Sequence, residues 1–168
     1  MLRRQETGRA TALRILRHAA FWLPAAAIFA GDRFTKNFVL DNMRPGQSVP
    51  IVSGILHVTL VENPGGAFGL LPGGQIFFTS VAIVVLAVVV IYQLRGSGMG
   101  IISSLALGLI LGGTVGNLFD RLSYGKVVDW IDFRVWPVFN IADSAVVFGI
   151  FLLSLTLLSS SGSDASNG

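Results

Sequence analysis

Four apolar stretches, each about the length that crosses a bilayer, take up most of this chain of 168 residues. They run over about Leu16–Leu40, Gln75–Leu94, Ile101–Phe119 and Phe139–Leu158. A helix needs roughly 20 apolar residues to span the hydrocarbon core. Lipid offers no hydrogen bonds to the backbone, so helices are the default spanning form. With 52% hydrophobic and 12% charged residues, the chain lies outside the range of ordinary soluble domains. The expected fold is an all-α integral membrane protein with four transmembrane helices. The membrane domain covers residues 16–158, after a basic segment 1–15 and before a Ser/Gly-rich tail 159–168 expected to be disordered.

The charges orient this frame. Arg3, Arg4, Arg9, Arg14 and Arg17 precede the first span against Glu6 alone, and the loop from Arg95 to Gly100 has one Arg and no acid. Asp41, Glu62, Asp120, Asp129 and Asp132 fall in the other two loops. Lys and Arg in short flanks mark the cytoplasmic side. Both termini are therefore expected in the cytoplasm, with the acidic loops facing outward from a multi-pass membrane protein. The basic balance is read as topology and not as nucleic-acid binding. A cleaved leader in place of the first span would leave three spans and put loops or terminus on the wrong side. The loop 41–74 has β-rich residues over Val49–Val61 broken at Gly54, which predicts a hairpin at the membrane surface.

Polar residues gather at the outward ends of the spans. Asp32 and Lys36 stand at i,i+4 near the end of the first, and Asn117, Asp120 and Arg121 end the third. Asn140 and Asp143 open the fourth at i,i+3. Residues at these spacings share a helix face. Ser104, Gly108, Gly112 and Gly116 form a stripe at steps of four, which allows close helix approach and holds the polar ends in register. The turn-rich stretch from Asn63 through Gly65 and Ala67 to Gly69 precedes the second span.

The residue types restrict the chemistry. The chain has no cysteine, and its two histidines, His18 and His57, are far apart with no H-E-x-x-H motif. No metal-ligand set is complete and no nucleophilic triad is evident, so neither metal nor cofactor is expected. Aspartates remain. A charge at the edge of hydrocarbon costs about 2.5–3.5 kcal/mol unless paired or wetted. Two neighbouring carboxylates cannot easily both ionise, so one keeps a proton. Such a pair activates water with one member and protonates a carbonyl with the other. Spacing leaves open whether Asp143 pairs with Asp120, Asp129 or Asp132. Two other classes fit the composition: an ion relay using intramembrane carboxylates, and a non-catalytic scaffold packed through the glycine stripe. Charges gathered at one interface, instead of stepping across the bilayer, argue against the relay.

Five motifs in order narrow the choice. They are Asp32-Arg33-Phe34-Thr35-Lys36, Glu62-Asn63-Pro64-Gly65-Gly66-Ala67-Phe68-Gly69, and Gly112 to Arg121 with its Asn117-Leu118-Phe119-Asp120-Arg121. Gly125-Lys126-Val127-Val128-Asp129 and Phe139-Asn140-Ile141-Ala142-Asp143 follow. Over about residues 20–158 the chain resembles the bacterial lipoprotein signal peptidases, signal peptidase II. Pro64 and Gly66 depart from the Thr and Ala more usual there. The resemblance implies an aspartyl endopeptidase of the bacterial inner membrane, expected to act as a monomer. Its substrate would be a diacylglyceryl-modified prolipoprotein, cut before the lipidated cysteine. It implies that Asp129 and Asp143 are the catalytic pair. Asp32, Lys36, Asn63, Gly65, Ala67, Asn117, Asp120, Arg121, Asn140 and Ala142 would support the pair or bind substrate. It also implies an outward β-cradle and a short surface helix.

Overall fold

A computed structural model describes residues 2–65, 74–95 and 100–165. Helix α1 runs over Leu2–Asn42, α2 over Gly74–Arg95, α3 over Ile101–Tyr124 and α4 over Ile141–Ala165. Strands β1 (Ser48–Val52) and β2 (Leu56–Asn63) lie between α1 and α2, and β3 (Val127–Asp132) lies between α3 and α4. All four helices are long and apolar enough to cross a membrane. Both end segments are more helical than composition suggests. α1 begins at Leu2 and passes through Pro24, and α4 continues past Leu158 into the Ser/Gly-rich tail.

Helix α3 is the centre of the bundle. Most of its span is buried, whereas α1, α2 and α4 turn large apolar side chains such as Leu23, Ile83 and Phe151 outward, the surface that hydrocarbon would cover. The glycine stripe accounts for this position. A Cβ on Gly108 would collide with the Phe21 carbonyl oxygen of α1, and one on Gly112 would lie 2.5 Å from the Ala25 carbonyl oxygen. On the opposite side of α3, a Cβ on Gly113 would collide with the Ala142 carbonyl oxygen of α4. Phe21, Ala25, Val89, Leu107, Ile110 and Leu111 close the core between α1, α2 and α3. Small residues thus let α3 meet two neighbours at backbone distance. Gly108→Ala is expected to lower the unfolding free energy in detergent by about 1–3 kcal/mol through overpacking. The thermal midpoint checks this against Gly100→Ala, where an added Cβ meets nothing within 4 Å.

One end of the bundle carries a three-stranded antiparallel sheet in the order β1-β2-β3. The expected hairpin is β1 and β2, turning at Gly54 with φ 73°. The third strand was not foreseen. Gly125 makes it possible: with φ 73° it caps α3 and donates its N–H to the Arg121 carbonyl oxygen. This left-handed cap suits glycine and sends the chain straight back as β3. Val39 of α1, Leu60 of β2 and Val128 of β3 form a small core that seats the sheet on the end of α1. No separate surface helix occurs among the described residues.

Candidate active site

The site begins with the sheet register. β2 and β3 pair so that Val61 stands opposite Asp129 and Asn63 opposite Val127. This carries Asn63 beside the Asp129 side chain, where Asn63 Nδ2 donates to Asp129 Oδ2 at 3.1 Å. Gly65 fixes that amide by donating its N–H to Asn63 Oδ1 at 3.1 Å. A Cβ on Gly65 would press on the backbone of Gly74 and Gln75.

The second carboxylate is positioned by the start of α4. Asn140 occupies the N-cap. Its Oδ1 accepts the Asp143 N–H at 2.8 Å, and Asp143 Oδ2 accepts the Asn140 N–H at 3.3 Å. This is a reciprocal capping box with an aspartate in the third position. It satisfies two otherwise orphaned backbone donors and fixes the Asp143 side chain at the positive end of the helix dipole. Asn117 Nδ2 of α3 donates to the other oxygen, Asp143 Oδ1, at 2.7 Å.

Asn140 also ties the two carboxylates together. Its Nδ2 donates to Asp129 Oδ1 at 2.7 Å and to Asn117 Oδ1 at 3.0 Å. Asp129 and Asp143 therefore face one polar cleft and sense each other's charge. Burial first, and then the charge of Asp143, pushes the Asp129 carboxyl up to about 7, although hydrogen bonds from Asn63 and Asn140 oppose the shift. A carboxyl held there is half protonated at neutral pH, the condition for one proton shared between two acids.

Behind the pair lies a buried charge cluster. Lys36 Nζ contacts Asp32 Oδ2 at 2.9 Å, Asp120 Oδ2 at 2.8 Å and Asn117 Oδ1 at 2.9 Å. Arg33 bridges the same two acids, with Nη2 2.9 Å from Asp32 Oδ2 and Nη1 2.5 Å from Asp120 Oδ1. Its guanidinium stacks on Phe119 at 4.9 Å. Asp32, Lys36 and Asp120 are fully buried. The remaining valences reach the backbone that presents the pair. Asp32 Oδ1 accepts the Ala142 N–H, and Asp120 Oδ2 accepts the Val128 N–H, both at 3.2 Å. Two acids and two bases neutralise one another and join α1, α3, the start of α4 and β3.

The expected site residues thus separate by place. Asn63, Asn117 and Asn140 touch the carboxylate pair, whereas Asp32, Lys36 and Asp120 lie one contact behind it. Ala142 is buried in the helix packing, while its N–H binds Asp32. Arg121 parts from its helix neighbours Asn117 and Asp120. It lies over the Phe78 ring at 5.6 Å and lines the cleft. Ala67 lies outside the described residues. Arg33 was overlooked as a site residue, although it stands within the first motif.

Two hollows meet at Asp143. The polar cleft, about 850 Å³, is bounded by Glu62, Asn63, Asp129, Trp136 and Phe139. An apolar groove of about 720 Å³ runs down α2, α3 and α4 between Val85, Val88, Leu107 and Ile150. Phe78, Arg121 and Asp143 belong to both. Among the described residues no cluster of His, Cys, Asp and Glu is arranged to hold a metal ion.

Comparison with known proteins identifies the family and the fold. The sequence model described as Signal peptidase (SPase) II matches residues 24–159. The lipoprotein signal peptidase of Halothermothrix orenii is 46% identical over 126 residues, covering 75% of this chain and 86% of the relative. That of Desulfitobacterium hafniense is 46% identical over 138 residues, covering 82% and 91%. A bacterial membrane enzyme solved by the in meso method at 2.3 Å superposes with a TM-score of 0.77 at 31% identity, covering 83% of this chain and 87% of that one. A second, at 1.9 Å, gives 0.74 at 32% identity, covering 81% and 90%.

Proposed function

The chain belongs to the signal peptidase II family of membrane proteases, and from that premise we propose that it removes the signal peptide from diacylglyceryl-modified prolipoproteins by aspartyl catalysis at Asp129 and Asp143. The observation that carries this reading is the carboxylate pair at the junction of a polar cleft and an apolar groove. Such a junction suits a substrate that is part membrane helix and part polar chain. The signal peptide lies along α2 and α4, and the scissile bond before the lipidated cysteine reaches the pair. Outward placement of this end follows from the basic N-terminal flank.

The proton inventory assigns roles within the pair. Asp129, held up to about 7, carries a proton in about half of the molecules at neutral pH and in most below it. Asp143 receives Asn117 Nδ2 and the Asn140 N–H at a helix N-terminus, donors that suit a carboxylate. Asp143 takes a proton from water as the oxygen adds to the scissile carbonyl carbon. Asp129 gives its proton to the carbonyl oxygen, forming a gem-diol. The gem-diol collapses as Asp129 takes back a hydroxyl proton, Asp143 gives its proton to the cysteine nitrogen, and the carbon–nitrogen bond breaks. Water's oxygen leaves in the new C-terminal carboxylate of the signal peptide.

Purified protein in nanodiscs is expected to cleave a lipidated prolipoprotein and to spare its unlipidated form. Equal cleavage of both would contradict the substrate assignment. The pH dependence has a definite sign. The Asp129 carboxyl is raised from 3.8 to about 7 on folding, so the folded state binds more protons across that window. Its contribution to stability is present at low pH and lost as pH rises towards 7. The cleavage rate is likewise expected to fall above about pH 7 as Asp129 loses the proton it donates. A rate that stays flat from pH 6 to 9 would contradict this assignment.

A further inference from the structure

Between the two aspartates the chain makes an excursion from Asp132 to Val138. Its base is pinned: the Trp130 and Ile131 N–H groups donate to the Phe139 carbonyl oxygen at 3.0 and 2.8 Å, and the Phe139 N–H returns to the Ile131 carbonyl oxygen at 3.1 Å. Phe133 stacks on Phe139 with ring centroids 5.9 Å apart. Above this base, Trp136, Pro137 and Val138 form a wall of the polar cleft. Trp136 is 69% exposed, and little packing of its own holds it.

At the foot of the excursion lies a buried carboxylate outside the catalytic machinery. Asp132 Oδ1 accepts the Arg134 N–H at 2.8 Å, and Asp132 Oδ2 lies 3.2 Å from Arg134 Nη1. Arg134 is the one non-glycine among the described residues with positive φ, at 66°, a left-handed conformation that most side chains avoid. The clasp continues across the sheet. Thr59 Oγ1 lies 2.7 Å from Asp132 Oδ2 and 2.7 Å from Ser48 Oγ, which lies 3.2 Å from His57 Nδ1. Proton counting fixes the direction. An ionised carboxylate only accepts, so Thr59 donates to Asp132 and accepts from Ser48. Ser48 has then spent its only proton, so His57 donates from Nδ1. All three strands are thereby wired to one carboxylate. Hydrogen bonds from Thr59 and Arg134 hold Asp132 below the usual carboxylate range in spite of its burial, which opposes the shift.

We infer that Asp132 is a positioning residue for substrate binding, which fixes the Arg134 turn and so sets Trp136 as the substrate-contacting wall beside the catalytic pair. This rests on the proteolytic reading above. Trp136 lines the polar cleft that meets the apolar groove at Phe78 and Asp143, a setting that suits a tryptophan against the polar–apolar boundary of a lipidated peptide.

Steady-state cleavage of a lipidated prolipoprotein by the full chain in nanodiscs tests this. Trp136→Ala is expected to raise KM about 5- to 20-fold with kcat within about 2-fold, the signature of lost uniform binding. Asp132→Ala, which removes both acceptor oxygens, should raise KM to a similar extent. The double variant should be no worse than Trp136→Ala alone, because Asp132 acts through Trp136. Arg134→Asn keeps the N–H and tolerates the left-handed turn but loses the guanidinium contact, so its KM should rise less than in Asp132→Ala. An unchanged KM in Asp132→Ala, or additive effects in the double variant, would overturn the inference while wild-type cleavage leaves the protease reading standing. Loss of wild-type cleavage is the separate failure, that of the reading itself. A second readout needs no turnover. With Trp22→Phe and Trp130→Phe in place, the fluorescence anisotropy of Trp136 should fall on Asp132→Ala, and on Thr59→Val if Asp132→Ala does not fold. Unchanged anisotropy would overturn the inference.

Discussion

Asp129→Asn and Asp143→Asn are each expected to lower kcat on a lipidated prolipoprotein by about 10²–10⁴-fold while the protein stays folded, the range that a lost acid or base commonly produces. The two losses should not add, because both residues serve one proton transfer. Folding is expected to survive because asparagine matches aspartate in shape, and the anchoring groups come from elsewhere. The amide oxygen can still accept one of the two donors that meet each carboxylate, from Asn63 or Asn140 at position 129 and from Asn117 or the Asn140 N–H at position 143. Asp129→Asn should also remove the loss of stability between about pH 4 and 7, since an amide does not titrate there. Circular dichroism melts at several pH values, run beside the cleavage assay, check both parts. A folded variant at either position with near-wild-type turnover would sink the dyad.

The second large effect lies behind the pair. Lys36→Met is expected to destabilise the bundle by about 3–5 kcal/mol, because it strips the cation from a buried ionic cluster. Asp32 and Asp120 would keep Arg33 but lose the ammonium that touches both. Asp120→Asn should cost less, about 1–3 kcal/mol, since the amide oxygen still accepts a hydrogen bond. Cleavage by the protein that remains folded should fall only modestly in Asp120→Asn. Thermal unfolding in detergent separates these cases. Near-wild-type melting of Lys36→Met would show that the cluster does not hold the helices. Complete loss of turnover in well-folded Asp120→Asn would move the catalytic role from Asp129 to Asp120.

These two expectations concern residues that the sequence exposed to different degrees. Hydropathy reveals the four spans, because lipid leaves a helix few alternatives. The glycine stripe predicts close packing, and the backbone contacts of Gly108 and Gly112 bear it out. The i,i+4 pair Asp32 and Lys36 forms the ion pair that its spacing suggests. The partner of Asp143 is different. Asp129 lies on a strand and Asp143 on a helix, and only the register of β2 against β3, with the cap at Asn140, brings them to one cleft. No helical periodicity encodes that meeting, and the family resemblance supplied it. The β-branched and aromatic residues of Val127–Phe133 are a strand signal, but Asp129 and Asp132 interrupt its apolar pattern. Arg33 is less legible because its Cα is offset by one residue from the face shared by Asp32 and Lys36. Its long side chain curls back to reach Asp120.

The central claim is that water, activated between Asp129 and Asp143, cuts the peptide directly. A single-turnover cleavage in H₂¹⁸O, with excess enzyme over lipidated prolipoprotein and mass spectrometry of both partners, tests it most directly. The expected result is one ¹⁸O atom in the new C-terminal carboxylate of the signal peptide, with Asp129 and Asp143 unlabelled. Label in either aspartate, or a signal peptide released without ¹⁸O, would contradict it.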